Sequence, residues 1–228
     1  MNKRLIINVL IVMFLSEIIL QVNELAGFVC YTLLLTGILL ALVNVEKIDD
    51  PSRLVMILMI FPMIRILELF LHLGDYWRIS VIYYLFLFLV LYYFIKFKFE
   101  YKPNRKGFWL VIMSVFLGLL LGYLGREAFS ASIEKSLLFI TIIPIVVLTE
   151  ELFFRGMVQE LITKNYGISY GIILTAIFYA IASLGFGLSL VLFFVLLSLI
   201  LSIIYGMTKN LWLVMIINAI VHVFMFVL

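Results

Sequence analysis

Cysteine, histidine and charge are all scarce in this 228-residue chain, which has one cysteine, two histidines and 13% charged residues. The single Cys30 has no partner for a disulfide within the chain, so disulfides do not hold the fold together. A soluble globular domain carries about 25% charged residues. The low charge content therefore excludes an ordinary soluble domain, and a net charge of +3 gives no reason to expect a nucleic-acid partner.

Long apolar runs dominate instead, with 66% hydrophobic residues and a mean hydropathy of +1.28. Runs of about 18–25 residues recur along the chain, and each is long enough for a helix to cross a hydrocarbon core of about 30 Å. Strand-type alternation is absent, so the sequence predicts an all-α, polytopic transmembrane helical bundle of about eight or nine crossings. The nine candidate crossings cover about residues 4–22, 26–44, 53–73, 77–95, 107–125, 135–163, 168–184, 187–207 and 211–228.

Basic residues are distributed unevenly between alternate loops. If the N-terminus is cytoplasmic, the inside loops hold Lys3, Arg4, Lys47, Arg53, Lys96, Lys98, Lys102, Arg105, Lys106, Lys164 and Lys209. The outside loops then hold only Arg78, Arg126 and Lys135. This asymmetry predicts an integral membrane protein with a cytoplasmic N-terminus and with membrane lipid as a partner. No repeat and no low-complexity linker divides the chain, so we expect one domain over residues 1–228.

Two adjacent carboxylates and an arginine follow an apolar run in the stretch TEELFFRG, residues 149–156. On a helix, Glu151 and Arg155 are four residues apart with the acid first, which favours an ion pair. Glu150 then points about 100° away and is left free. A free carboxylate beside a second acid is able to take a proton from water. The alternatives are a divalent metal site completed by a histidine, or a helix end whose charged groups reach the interface.

A second polar group lies in the last apolar segment, LWLVMIINAIVHVF, where Asn218 and His222 are four residues apart and share one helix face. Such a pair is able to donate hydrogen bonds to an oxyanion, and the histidine is able to move a proton or bind a metal. The alternative is a structural role in hydrogen bonding between helices.

The stretch TEELFFRGMVQEL resembles the first motif, EExxxR, of the CPBP family of intramembrane endopeptidases, also called the Abi or CAAX-protease family. The resemblance covers about residues 134–228, which we therefore treat as the core, with residues 1–133 as accessory helices. It implies that Glu150 and Glu151 activate the attacking water, that Arg155 is the motif arginine, and that Asn218 and His222 hold the oxyanion. It also implies a lipidated or membrane-inserted peptide substrate, possibly prenylated, and the plasma membrane of a prokaryote.

The chain departs from this family in two motifs. The second motif, FxxxH, corresponds to AIFYAIASLGFG, where the histidine position is Ala182 or Ser183, depending on the frame. The third motif, HxxxN, is reversed, with Asn218 in the histidine position and His222 in the asparagine position. We therefore keep a second hypothesis, a non-hydrolytic scaffold, immunity or regulatory protein that binds a membrane peptide. A transporter is a third hypothesis, but no repeat supports it.

Overall fold

The computed structural model describes residues 3–43, 50–71, 75–99, 108–129, 137–186 and 190–227, and these residues form helices without any strand. The α-helices are α1 (Lys3–Val22), α2 (Glu24–Val43), α3 (Asp50–Leu58), α4 (Ile60–Phe70), α5 (Asp75–Lys96), α6 (Phe108–Phe129), α7 (Phe139–Glu151), α8 (Glu160–Tyr166), α9 (Ile168–Ala182), α10 (Val191–Thr208) and α11 (Leu211–Phe226). A π-helix, Leu152–Gln159, joins α7 to α8, and a 3-10 turn, Ser183–Phe186, follows α9.

The helices confirm the all-α prediction within the described residues. Two of them, Trp77–Lys96 and Val191–Thr208, are both long and apolar enough to cross a membrane by themselves. The predicted number of eight or nine crossings is not confirmed. The orientation also stays a prediction. Several basic loop residues on which it depends lie outside the described residues, namely Lys47, Lys102, Arg105, Lys106 and Lys135.

One predicted crossing, about residues 53–73, is interrupted in the structure. The helix is divided at Met59 into α3 and α4. Pro62 lies in the first turn of α4 and has no N–H to donate to the carbonyl of Leu58, which explains the break. The helix α8 ends at Tyr166. There Gly167 has φ +94° and ψ 163°, a conformation that is open essentially to glycine alone.

The described structure separates into two compact units, Met1–Leu89 and Val90–Leu228. In the first unit, α2 packs against α1, α3 and α4. In the second unit, α11 packs against α6, α7 and α10, and α9 packs against α10, α8 and the π-helix. The assignment of the whole chain to one domain stays a prediction.

Many large apolar side chains face outward on these helices. On α6 alone, Met113, Phe116, Leu119, Leu120 and Tyr123 are exposed. Exposed apolar surface on this scale is unfavourable in water and is what helices surrounded by lipid present. The surface therefore agrees with an integral membrane protein.

The first unit contains a buried ionic cluster that connects three helices. Arg65 on α4 donates from Nε to Oε1 of Glu17 at 2.6 Å and from Nη2 to Oε2 at 2.9 Å. The Tyr31 hydroxyl on α2 donates to Oε1 of Glu17 at 2.5 Å, and Arg65 also pairs with Glu68. Because Glu17 is fully buried, its charge is neutralised by these donors rather than by water.

Glu17→Leu is expected to destabilise the protein by about 3–5 kcal/mol, because it removes one partner of a buried ion pair and leaves Arg65 and Tyr31 without their main acceptor. The matched control is Glu160→Gln, which removes the half-exposed pair with Lys209 and should cost less than about 1 kcal/mol. Reversible unfolding in detergent micelles measures both free energies. Equal losses for the two variants would contradict the stabilising role of the cluster.

Candidate functional site

The carboxylates at the end of α7 meet the polar pair of α11. The side-chain amide of Asn218 donates from Nδ2 to Oε2 of Glu150 at 3.1 Å and to Oε1 of Glu151 at 2.7 Å. Nε2 of His222 lies 3.1 Å from the same Oε2 of Glu150. Residues that are about 70 positions apart in the chain are therefore joined in one hydrogen-bonded cluster, which we call the acid cluster.

Both acids face the protein interior. Glu150 is 7% exposed and Glu151 is 0% exposed. A helix end whose charged groups reach the interface would leave them exposed, so this burial argues against that alternative. The acids are instead held by donors from other helices, as buried carboxylates require.

The prediction that Glu150 is left free is wrong. Its Oε2 atom lies within hydrogen-bonding distance of the Asn218 amide, the His222 imidazole and the hydroxyl of Tyr179. The helical spacing correctly predicts that Glu150 points away from Arg155. Spacing along one helix does not indicate which other helices pack against the face that carries Glu150. Here α9 and α11 supply the donors.

The predicted pair between Glu151 and Arg155 is present, with Nη1 of Arg155 3.3 Å from Oε1 of Glu151. The backbone that carries it differs from the expected α-helix, because Leu152–Gln159 is a π-helix. π-helical segments are rare and occur frequently at functional sites. Arg155 is fully buried, and its Nη2 atom also donates to Oγ of Ser198 on α10 at 3.1 Å. Arg155 therefore ties the acid cluster to α10.

Tyr179 on α9 is a residue of this site that sequence reasoning missed. Its hydroxyl donates to Oε2 of Glu150 at 3.1 Å, and the guanidinium carbon of Arg155 lies 4.9 Å from its ring centroid. The available signal was a hydroxyl-bearing aromatic residue inside the stretch that corresponds to the second motif. The second motif requires a histidine, and it gives no reason to expect a tyrosine in this role.

Neither candidate for the second-motif histidine supplies a comparable group. Ala182 has no polar side-chain atom, and the Ser183 hydroxyl donates to the backbone carbonyl of Tyr179 at 2.9 Å. The Ser183 side chain is therefore engaged with its own helix, at the point where α9 ends. In this stretch, the observed side-chain contact with Glu150 comes from Tyr179.

A further buried polar contact lies one turn beyond Arg155. The side chain of Gln159 donates from Nε2 to the carbonyl of Ser202 at 2.8 Å, and both residues are fully buried. Arg155 and Gln159 are four residues apart, and they contact Ser198 and Ser202, which are also four residues apart. Sequence reasoning did not find this pair, although the spacing from Arg155 to Gln159 is a signal that could have found it.

The position of α11 depends on glycines in α6, which allow the two helices to approach closely. A Cβ atom at Gly118 would lie 3.3 Å from Cα of Ile217 and 3.1 Å from Cβ of Ile220. At Gly122 it would lie 2.8 Å from Cδ2 of Phe224. At its start, α11 is capped by Asn210, whose side chain accepts a hydrogen bond from the backbone N–H of Trp212 at 3.1 Å. These contacts place Asn218 and His222 beside α7.

The residues of the acid cluster do not fit a divalent metal as they are arranged. Oε1 of Glu151 already receives N–H groups from Asn218 and Arg155, and the guanidinium adds a positive charge where a cation would bind. Within the described part of the chain, no group of three or more His, Cys, Asp or Glu side chains is placed to hold a metal ion. The metal alternative therefore has no support from the ligand geometry.

Comparison with known proteins agrees with the geometry. A family model described as Type II CAAX prenyl endopeptidase Rce1-like matches residues 132–224. The C-terminal segment is Rce1-like. The matched range contains all the residues of the acid cluster, and it confirms the resemblance to the CPBP family that the EExxxR motif indicates. No curated protein and no solved structure matches the chain.

Proposed function

We propose that this protein is an intramembrane endopeptidase of the Rce1-like type in which Glu150 activates the attacking water. The observation that carries the proposal is the position of Glu150 at the end of α7. Its Oε2 atom is within 3.1 Å of an amide, an imidazole and a phenol in the segment that matches the family. A general base must be held in place and protected from bulk water, and this arrangement supplies both conditions.

In the proposed reaction Glu150 takes a proton from a water molecule while the water oxygen bonds to the scissile carbonyl carbon. The carbon–nitrogen bond of the resulting tetrahedral intermediate then breaks. The proton held by Glu150 passes to the leaving amine, which restores the carboxylate. His222 touches the same carboxylate oxygen, so it is the group placed to help with these proton transfers.

The other residues of the acid cluster are assigned positioning roles. Arg155 neutralises Glu151, so that two adjacent carboxylates are able to share one buried region. Asn218 bridges the two acids through Nδ2 and uses both of its N–H groups in doing so. This changes the role suggested by the resemblance: with both donors engaged, we assign Asn218 to orienting the acids rather than to holding the oxyanion.

The proposed substrate is a peptide with a membrane anchor, either a prenyl group or a transmembrane segment. A substrate of this kind reaches a buried site from the lipid phase. The outward apolar faces of the helices are compatible with contact to its membrane anchor. The Rce1-like match supports a peptide or protein substrate. The cytoplasmic N-terminus and the location in a prokaryotic plasma membrane remain part of this proposal.

A non-hydrolytic scaffold is the second candidate, and the observation that favours it is the second motif. Ala182 has no polar group, and the Ser183 hydroxyl is bonded to its own backbone. A scaffold of this kind would bind a membrane peptide through the same helices and release no product. The two candidate functions therefore differ in whether a bound peptide is cleaved and released.

Cleavage of a prenylated peptide library by the purified protein in liposomes tests the proposal. The wild type is expected to release products, and Glu150→Gln is expected to lower the rate by about 10²–10⁴-fold, the usual contribution of a general acid–base group. Glu150→Gln keeps the shape of the side chain, and its thermal unfolding controls for folding. Peptide binding without product from either protein would support the scaffold, and equal cleavage by both would contradict the role of Glu150.

A further inference from the structure

We propose that Tyr179 is a positioning residue of the site, and that its phenol supplies the contact with Glu150 in the stretch that lacks the second-motif histidine. This inference rests on the proposed function, because the role concerns the general base of the hydrolysis. It adds a residue that neither the motif pattern nor the family match assigns. Two contacts, with Glu150 and with Arg155, carry it.

The first contact is the hydrogen bond from the Tyr179 hydroxyl to Oε2 of Glu150, at 3.1 Å. Tyr179 is 2% exposed, so this hydroxyl does not compete with bulk water for its acceptor. The phenol is a donor that carries no charge. It therefore helps to hold the carboxylate without adding a second cation beside Arg155.

The second contact is the ring face of Tyr179 under the Arg155 guanidinium, with 4.9 Å from the guanidinium carbon to the ring centroid. A cation above an aromatic face is attracted by the ring quadrupole, and more strongly when both groups are desolvated. Arg155 in turn holds Glu151. One side chain therefore contacts Glu150 directly through its hydroxyl and contacts the partner of Glu151 through its ring face.

The ring itself is fixed by its surroundings. Phe154 meets it edge to face, with ring centroids 4.8 Å apart and an interplanar angle of 67°. The Ser183 hydroxyl bonds to the Tyr179 carbonyl in the last turn of α9, which holds the backbone that carries the ring. A tyrosine has only two side-chain torsions, so these contacts leave it little freedom to leave Glu150.

The role follows from the donors that share Oε2 of Glu150. Asn218 and His222 approach this atom from α11, whereas Tyr179 approaches it from α9. Donors from two different helices restrict rotation of the carboxylate more than two donors from one helix do. A displacement of about 1 Å in a reacting group is enough to cost about 100-fold in rate. We therefore assign to Tyr179 the orientation of the general base.

Tyr179→Phe tests this role because it removes the hydroxyl and keeps the ring under Arg155. We expect kcat to fall by about 10-fold to 100-fold, as for loss of a hydrogen bond to a charged group, with KM nearly unchanged and with the protein still folded at the assay temperature. The matched control is Tyr205→Phe, a buried tyrosine on α10 outside the acid cluster, which should keep wild-type kcat. Tyr179→Leu, which also removes the ring, should lose stability as well as kcat.

Each other outcome decides against the proposal. If the wild type cleaves and Tyr179→Phe has the same kcat, the positioning role is wrong and the proposed protease function stands. If Tyr179→Phe loses thermal stability in proportion to its activity, the hydroxyl is only structural and the positioning role is wrong. If the wild type cleaves no peptide, the proposed function and the role of Tyr179 are both wrong.

Discussion

Arg155→Met is expected to abolish cleavage and to destabilise the protein by about 3–5 kcal/mol, because it leaves the carboxylate of Glu151 buried without its cationic partner. Arg155 also donates to Ser198 on α10 and lies over the ring of Tyr179, so three helices lose a shared contact. Unfolding in detergent micelles and the peptide assay measure the two effects. Arg155→Met therefore removes the contacts of Arg155 with Glu151, Ser198 and Tyr179 at once.

Arg155→Lys is the control that separates charge from geometry. A lysine keeps the positive charge, but it lacks the planar guanidinium whose separate N–H groups reach Glu151 and Ser198 at the same time. We expect it to recover most of the stability and only part of the cleavage rate. If Arg155→Met is as stable and as active as the wild type, the arginine does not hold the acid cluster together.

Gly118→Leu is expected to remove most of the proposed cleavage activity without changing any polar residue. A Cβ added at Gly118 would lie 3.3 Å from Cα of Ile217, the residue before Asn218. A leucine at this position must therefore push α11 away from α6. Overpacking of this kind costs about 1–3 kcal/mol. Displacing the amide and imidazole by about 1 Å should lower the rate by about 100-fold or more.

Gly37→Leu is the matched control for this substitution. Gly37 lies in α2, and a Cβ there would meet nothing within 4 Å. The variant should therefore keep wild-type cleavage and stability. Wild-type activity of Gly118→Leu would show that the close packing of α6 on α11 does not determine the geometry of the acid cluster.

The parts of this structure that the sequence predicts are those that depend on local periodicity. Apolar runs predicted the positions of the helices, since a run of that length has few other ways to satisfy its backbone. The four-residue spacing predicted the pair between Glu151 and Arg155 and the shared face of Asn218 and His222. The motif then indicated that these two groups belong to one site.

The parts that the sequence does not predict depend on contacts between distant segments. The bidentate partner of Arg65 is Glu17, 48 residues earlier, and spacing along one helix cannot indicate such a pair. The donors on Glu150 were missed for the same reason, since they come from α9 and α11. The π-helix after Glu151 was also not predicted, because the four-residue spacing of Glu151 and Arg155 fits an ordinary α-helix.

Glu150 on α7 and Asn218 on α11 are joined in one buried cluster, and a double-mutant cycle on unfolding free energy tests this link most directly. We expect Glu150→Gln and Asn218→Leu to be coupled by about 0.5–3 kcal/mol, as for residues in one hydrogen-bond network. Trp212→Ala, at an exposed position on the same helix, should be additive with Glu150→Gln. If the effects of Glu150→Gln and Asn218→Leu on the unfolding free energy also add to within about 0.3–0.5 kcal/mol, the two residues do not belong to one hydrogen-bond network.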